Sequence, residues 1–103
     1  MIHVVAIITA KPGQRSAVLD AFHANVPAVH AEEGCIEYQP VVDAGFGGFA
    51  TSIGDDSFMV IEKWSSAETL AAHAASQHMA AYAAKVKDLI ADRAVHVLAN
   101  SNS

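Results

Sequence analysis

Apolar side chains alternate with other residues in two stretches of the chain, which predicts two β-strands. The first stretch covers residues 2–10, and both of its faces are largely apolar. The second covers residues 58–64, where alternation assigns one face to Phe58, Val60, Glu62 and Trp64. A carboxylate on this otherwise apolar face makes Glu62 a candidate for acid–base chemistry.

A different pattern, with apolar residues every three to four positions, predicts a first helix over residues 14–33. Pro27 lacks a backbone donor and is expected to kink this helix near its third turn. Gly34 is expected to close the helix in the left-handed conformation. A second strand is expected over residues 35–43, and Pro40 predicts an edge position or a bulge for it.

The strand that ends at Trp64 is expected to turn directly into helix, because Ser65 and Glu68 have the spacing of a capping box. Two helices are then predicted, over residues 66–75 and 77–91. The sequence therefore predicts a sharp strand-to-helix corner followed by a broken pair of helices.

Two histidines lie in this helical pair, five residues apart. On an unbroken helix, the side chains of His73 and His78 would diverge by about 140°. Ser76 lies between them and is a good N-cap residue, so a break is expected there. With that break, both imidazoles can turn toward the same space as Glu62 and Trp64.

A final strand over residues 93–98 completes the order β-α-β-β-α-β, and residues 44–57 are expected to form a long loop or small hairpin. This order is typical of the ferredoxin-like α+β fold, in which an antiparallel sheet carries its helices on one face. We expect one domain over residues 1–99, followed by a frayed tail at 100–103.

The second face of the predicted sheet is apolar and has no helix to cover it. Its expected members are Val5, Ile7, Met59, Ile61, Val95 and Val97. At about 25 cal/mol per Å², leaving such a patch in water would cost on the order of 10 kcal/mol. Packing against a second copy across a two-fold axis removes that cost, so a homodimer is expected.

Composition argues against several classes of protein. Hydrophobic residues make up 52% of the 103 residues, which indicates a globular chain with a modest core. No apolar run approaches the ~18 residues of a membrane span. The net charge of −5 disfavours nucleic acid and anionic membranes as partners. A single cysteine permits no internal disulfide, which is typical of the reducing cytoplasm.

The usual cofactor motifs do not occur in the sequence. The glycine cluster at 45–49 contains neither G-x-G-x-x-G nor G-K-[ST]. The six histidines include no H-x-x-x-H pair, and Cys35 has no C-x-x-C mate. We therefore expect no bound metal and no cofactor.

A combined signal comes from short stretches distributed along nearly the whole chain. They are Lys11–Gln14, Ala17–Asp20, Val26–Pro27, Glu32–Cys35, Tyr38, Pro40, Val42–Asp43, Asp56–Ser57, Ile61–Trp64, His73, His78–Met79 and Ala81–Tyr82. In this order and spacing, they resemble the antibiotic biosynthesis monooxygenase (ABM) family of dimeric α+β barrels. Within that family, the chain is most similar to the small bacterial quinol monooxygenases.

This resemblance implies a cofactor-independent monooxygenase that uses molecular oxygen on quinols or related phenolic aromatics. A base removes a proton, the substrate anion reduces O₂, and a hydroperoxide collapses to the product. Such chemistry requires a mostly apolar pocket with a few polar groups. Haem-degrading relatives need an Asn on the first strand and an axial His on the last helix. The corresponding places here, near Ala6 and at Tyr82–Ala83, carry neither residue, so haem breakdown is disfavoured.

Seven residues form the candidate site. His78 is the favoured general base, His73 is the second candidate, and Glu62 is expected to take part in proton transfer or to orient an imidazole. The residues expected to contact a small aromatic or quinone-like ligand are Trp64, Tyr82, Tyr38 and Phe58. Each also has a plain structural alternative, such as a core position for Trp64 or a structural hydrogen bond for His78.

Two other functions remain open from the sequence. One is an isomerase of a small carbonyl metabolite, which is weakened by the lack of an evident Arg or Lys clamp for phosphate. The other is a non-catalytic binding or stress-responsive dimeric barrel. An open pocket beside the histidines and Glu62 favours an enzyme, whereas a pocket filled by side chains favours the non-catalytic protein.

Overall fold

A computed structural model describes residues 1–102 and confirms the predicted order of elements. The elements are β1 (Ile2–Ala10), α1 (Arg15–His30), β2 (Cys35–Val41), β3 (Ser57–Trp64), α2 (Ala67–Ala74), α3 (Gln77–Val86), a short 3-10 turn (Lys87–Leu89) and β4 (Ile90–Leu98). No helix within residues 1–102 combines the length and the hydropathy needed to cross a bilayer. Part of the predicted frayed tail is bound to the sheet, because Asn100 Oδ1 accepts a hydrogen bond from the His3 ring at 2.8 Å. Ser103, the last residue of that tail, lies outside the described residues.

The four strands form one open antiparallel sheet in the order β2-β3-β1-β4, which is the predicted ferredoxin-like arrangement. β2 is an edge strand, as Pro40 predicted. The register places Tyr38 opposite Glu62, and Glu62 opposite Val4. Because directly paired residues share a face, these three side chains form one row across the sheet.

The hydrophobic core lies between this face of the sheet and the helices. Val4, Phe58 and Trp64 of the sheet are fully buried, and α1 covers them with residues that include Val18 and Val29. Burial of each such side chain contributes about 1.5–3 kcal/mol to folding. The helices therefore cover the middle of the sheet and fix the face on which Glu62 lies.

The corner after Trp64 differs from the predicted capping box. The N-cap is Ser66, whose hydroxyl accepts from the Thr69 N–H at 3.2 Å, while Thr69 Oγ1 accepts from the Ser66 N–H at 3.3 Å. The predicted partners, Ser65 and Glu68, do not pair in this way. The N–H of Ser65 instead donates to the Gly34 carbonyl at 2.9 Å, which leaves it unavailable to a Glu68 carboxylate.

The first helix ends earlier than predicted, at His30. Gly34 has the expected left-handed conformation, with a φ of +81°, but lies in the turn beyond the helix. A Cβ at this position would stand 2.6 Å from Ser65 Oγ and from Thr69 side-chain atoms. Gly34 is therefore needed both for its backbone angle and for close approach to the start of α2.

The loop of residues 42–56 contains no strand. β2 ends at Val41 because the Asp43 carboxylate accepts hydrogen bonds from the Ser52 hydroxyl at 2.7 Å and from the Ile53 N–H at 3.1 Å, which folds the chain into the loop. Phe46 and Phe49 lie in this loop with their ring centroids 5.3 Å apart, and both are exposed.

The last helix ends at Val86 and β4 begins at Ile90, so the predicted bounds of 77–91 and 93–98 were wrong. Pairing with β1 explains the difference, because the Lys11 N–H donates to the Leu89 carbonyl at 2.8 Å and draws that segment toward the sheet.

The register of β4 also corrects the predicted faces of the sheet. Val97 pairs with Val4 and Val95 pairs with Ala6, so both valines lie on the helix side and not on the second face. They are 58% and 44% exposed, because the helices do not extend over this edge strand. The second face keeps the other four predicted residues, Val5, Ile7, Met59 and Ile61.

Candidate functional site

A cleft of about 550 Å³ lies between the helix side of the sheet and the pair α2–α3. Its walls are mostly apolar and include Val60 on the sheet, Met79 on α3 and Val95 on β4. The polar side chains that line it are Tyr38, Glu62, His73, Tyr82, Lys87 and Arg93. A cleft of this size suits a small aromatic molecule, and its few polar groups are positioned to orient one.

Glu62 lies on the floor of the cleft because strand alternation directs it toward the helices. Its Oε1 atom accepts a hydrogen bond from Trp64 Nε1–H at 2.9 Å. Burial raises the pKa of Glu62, while the Trp64 hydrogen bond and the nearby His73 partly oppose that effect. Its other oxygen, Oε2, has no hydrogen-bond partner within residues 1–102, and no side-chain oxygen or nitrogen that is buried from solvent is unpaired in that part of the chain. Oε2 is therefore accessible from the cleft.

Two of the predicted ligand contacts, Trp64 and Phe58, are fully buried and do not line the cleft. Trp64 instead packs beside the His73 ring, with centroids 4.6 Å apart, and holds Glu62 by its indole N–H. Phe58 packs edge-on against Phe22 at 5.8 Å within the core. Both aromatic residues support the cleft from below, which corrects the expectation that they touch a ligand in it.

His73 lies at the end of α2 and lines the cleft, although the residue is almost completely buried. Its Nδ1 is 2.8 Å from Glu32 Oε2. A carboxylate only accepts hydrogen bonds, so Nδ1 carries the ring proton and a neutral ring has its lone pair on Nε2. Nε2 has no partner among the described residues and is not a buried unpaired atom, so it is accessible from the cleft.

His78 does not line the cleft. The predicted break is present, since Ser76 Oγ caps α3 by accepting from the Met79 N–H, and its hydroxyl donates to the His73 carbonyl at 2.7 Å. The break turns the His78 ring toward Glu32, and Nε2 lies 3.1 Å from Glu32 Oε2. The two histidines are therefore brought together as predicted, but on Glu32 and not on Glu62.

Glu32 is the main residue that sequence reasoning missed. It lies in the turn between α1 and β2, 41 residues before His73, in a stretch that the sequence predicts to be the end of the first helix. Its neighbour Glu33 is exposed, and the sequence does not distinguish the two carboxylates. The only available signal was the presence of Glu32 in a stretch that resembles the family, without a role attached to it.

The tyrosines lie where the cleft meets the core. Tyr38 stacks on Phe22 with centroids 5.1 Å apart, and its hydroxyl is 3.9 Å from Met79 Sδ. Burial raises the pKa of Tyr38, with a smaller contribution from Glu62. Burial also raises the pKa of Tyr82 to about 12, against the opposing effect of Arg93. Both hydroxyls therefore remain protonated at neutral pH and are able to donate a hydrogen bond.

Arg93 is a second residue that sequence reasoning missed. It pairs with Ile8 and so points to the helix side, where it lines the cleft and partly offsets the rise that burial causes in the pKa of Glu62 and of Tyr82. Lys87 also lines the cleft. The cleft thus carries positive charge, although no Arg or Lys clamp was evident from the sequence.

Three side chains form a group able to hold a metal ion. Their ligand atoms, one each from Glu32, His73 and His78, all lie within 4.8 Å of one another. Sequence spacing predicted no metal site, because the two histidines lack a usual spacing and the third ligand comes from a distant turn.

Comparison with known proteins gives a consistent result. A family model described as "Antibiotic biosynthesis monooxygenase" matches residues 1–85. The "Probable quinol monooxygenase YgiN" of Escherichia coli (strain K12) is 42% identical over 100 residues, which cover 95% of this chain and 96% of that protein.

Solved structures show the same fold. Rv0793 from Mycobacterium tuberculosis is 27% identical, with a TM-score of 0.81 over 99% of this chain and 96% of that chain. PA3566 from Pseudomonas aeruginosa is 25% identical, with a TM-score of 0.79 over 94% of this chain and 90% of that chain.

Proposed function

Because this chain belongs to the antibiotic biosynthesis monooxygenase family, we propose that it is a cofactor-independent monooxygenase of quinols or related phenolic aromatics. The strongest support for this proposal is the similarity to a probable quinol monooxygenase, which extends over nearly the whole of both chains. The proposal includes a cytoplasmic location, which the single cysteine of the chain suits.

The observation that carries the mechanism is the Glu32–His73 pair at the cleft. The carboxylate holds the ring proton on Nδ1, so that Nε2 offers its lone pair to a substrate hydroxyl. After proton transfer, the same carboxylate stabilises the imidazolium. His73 thus replaces His78 as the proposed general base, and His78 becomes a positioning residue that acts through Glu32.

The remaining polar groups suit an ionised aromatic substrate. Arg93 supplies positive charge near the developing oxyanion, and the tyrosine hydroxyls are donors. Glu62, whose pKa is raised by burial, is able to bind a second substrate hydroxyl as acceptor or as donor. The apolar walls exclude water from the anion and leave space for O₂.

The reaction balances without an added reductant. The quinol anion forms a carbon–oxygen bond with O₂, and the resulting hydroperoxide loses water as its O–O bond breaks. One oxygen atom enters the ring and the other leaves as water, so a quinol and O₂ give a hydroxyquinone and H₂O.

Oxygen consumption with a panel of reduced quinones under ¹⁸O₂ tests this proposal. We expect turnover in the presence of chelator and one ¹⁸O atom in the quinone product. Turnover that yields an unlabelled quinone would contradict monooxygenation and indicate an oxidase. Absence of turnover, together with tight binding of the same quinols, would support the non-catalytic alternative.

A further inference from the structure

The cluster of Glu32, His73 and His78 has the donor set of a transition-metal site. His73 Nδ1 and His78 Nε2 lie 2.8 Å and 3.1 Å from the same carboxylate oxygen. At metal–ligand distances of about 2.0–2.2 Å, the ligand atoms of a tetrahedral zinc site lie about 3.3 Å apart. The third distance, between the two imidazole nitrogens, is at most 4.8 Å, so modest side-chain movements bring all three ligand atoms to tetrahedral spacing.

We propose that this cluster binds one Zn²⁺ ion, with one carboxylate oxygen and two imidazole nitrogens as protein ligands and water in the fourth position. Imidazole and carboxylate are ligands that zinc commonly uses, and three protein ligands with one open position is a usual zinc arrangement.

The surroundings of the cluster favour a cation. A surface depression of about 450 Å³ adjoins it and is lined by the carboxylates Glu32, Glu33 and Glu68. The chain as a whole has a net charge of −5, which favours the approach of cations. The His78 side chain is 31% exposed, so an ion reaches the cluster from solvent without passing through the cleft.

The ligands are also held in place by their neighbours. The Ser76 hydroxyl bonds the His73 carbonyl and caps α3, which sets the angle between the two helices that carry the imidazoles. The His73 ring packs against Trp64. A site that is ordered before the ion arrives loses little conformational freedom on binding.

Metal binding would change the state of His73 in the cleft. The ion occupies the position of the proton on Nδ1, so a neutral ring then carries its proton on Nε2. No proton leaves the ring, but Nε2 no longer accepts one from a substrate. Zn²⁺ at the cluster would therefore inhibit, and this second half of the inference rests on the proposed function.

Metal binding is tested with untagged, chelator-stripped protein, titrated with Co²⁺ by visible absorption and with Zn²⁺ by calorimetry. We expect one ion per chain and intense d–d bands typical of a tetrahedral site. His78→Gln and Glu32→Gln should weaken binding at least about 10-fold, since even an outer-shell partner contributes that much. The matched control is His23→Gln, an exposed histidine of α1, and it should bind as the wild type does. Absence of one-to-one binding, or equal binding by His78→Gln, would overturn the site.

Inhibition is tested separately. One equivalent of Zn²⁺ should abolish oxygen consumption by the wild type, whereas inhibition of the His78→Gln variant should need a Zn²⁺ concentration at least about 10-fold higher. Long-range ¹H–¹⁵N NMR should show the His73 proton move from Nδ1 to Nε2. A wild type that binds Zn²⁺ but never consumes oxygen would overturn the proposed function and leave the metal site standing. Full activity of the zinc-loaded enzyme would overturn the inhibitory role.

Discussion

At the scale of single residues, the site depends on two carboxylates with different tasks. Glu32 fixes the proton of His73, whereas Glu62 lies on the cleft floor and is held by Trp64. The sequence identified Glu62, because a carboxylate on an apolar strand face is visible in one strand. It did not identify Glu32, because a contact across 41 residues depends on how the turn and the helices meet.

Glu62→Gln tests the environment of the cleft floor. Burial raises the pKa of Glu62 in the folded state, so ionisation costs stability once the pH exceeds the unfolded value of about 4.3. Glutamine keeps an acceptor for the Trp64 indole and removes the charge. The variant should therefore melt at a higher temperature than the wild type at pH 7, by a few degrees for about 1 kcal/mol, and the difference should shrink toward pH 4. A pH series of thermal melts of both proteins measures this difference. A difference in melting temperature, variant minus wild type, that is smaller at pH 7 than at pH 4 would contradict the prediction.

At the scale of elements, the break between α2 and α3 is what places both histidines on one carboxylate. The sequence predicted this break because Ser76 is a favourable cap, and local capping chemistry is readable from neighbours in the chain. The corner at Ser66 was misplaced by one residue, since the competing bond from Ser65 to Gly34 comes from a distant turn.

The Ser76→Ala variant tests whether the cap of α3 also positions the candidate site. It removes the cap of α3 and the bond to the His73 carbonyl, which should cost about 1 kcal/mol of stability. Because it also frees the angle between the histidines, kcat should fall more than in the matched variant Ser66→Ala, which removes the cap of α2. Urea unfolding and steady-state kinetics of both variants measure this. An equal loss of kcat at equal stability would indicate that the break does not position the site.

At the scale of the whole molecule, the order of elements and the ferredoxin-like sheet followed from the sequence, because strand and helix periods are local. The sequence did not predict which β4 side chains lie on each face of the sheet. That assignment depends on the register of pairing with β1, and both faces of β4 are apolar or mixed in the sequence. This correction leaves a smaller second face, with Val5, Ile7, Met59 and Ile61 on the side away from the helices.

We still propose that two copies pack through this face as a homodimer. Met59→Asp should place a charge in the interface and weaken dimerisation by several kcal/mol. Sedimentation equilibrium measures the dissociation constant of both chains, and Ala84→Asp, an exposed change on α3 that also adds one negative charge, is the control. A wild-type chain that sediments as a monomer at micromolar concentration would refute the proposal.

The proposed mechanism requires that His73, held by Glu32, is the base that ionises the substrate. The most direct measurement is the pH dependence of kcat for wild type, His73→Ala and His78→Ala with one good quinol. His73→Ala should lower kcat by about 10²-fold or more near neutral pH, the usual range for a general base, and high pH should partly restore it by ionising the quinol in solution. His78→Ala should lower kcat by a smaller factor, because Glu32 still bonds His73. A kcat for His73→Ala equal to that of the wild type at every pH, or a larger loss in His78→Ala, would show that His73 is not the general base.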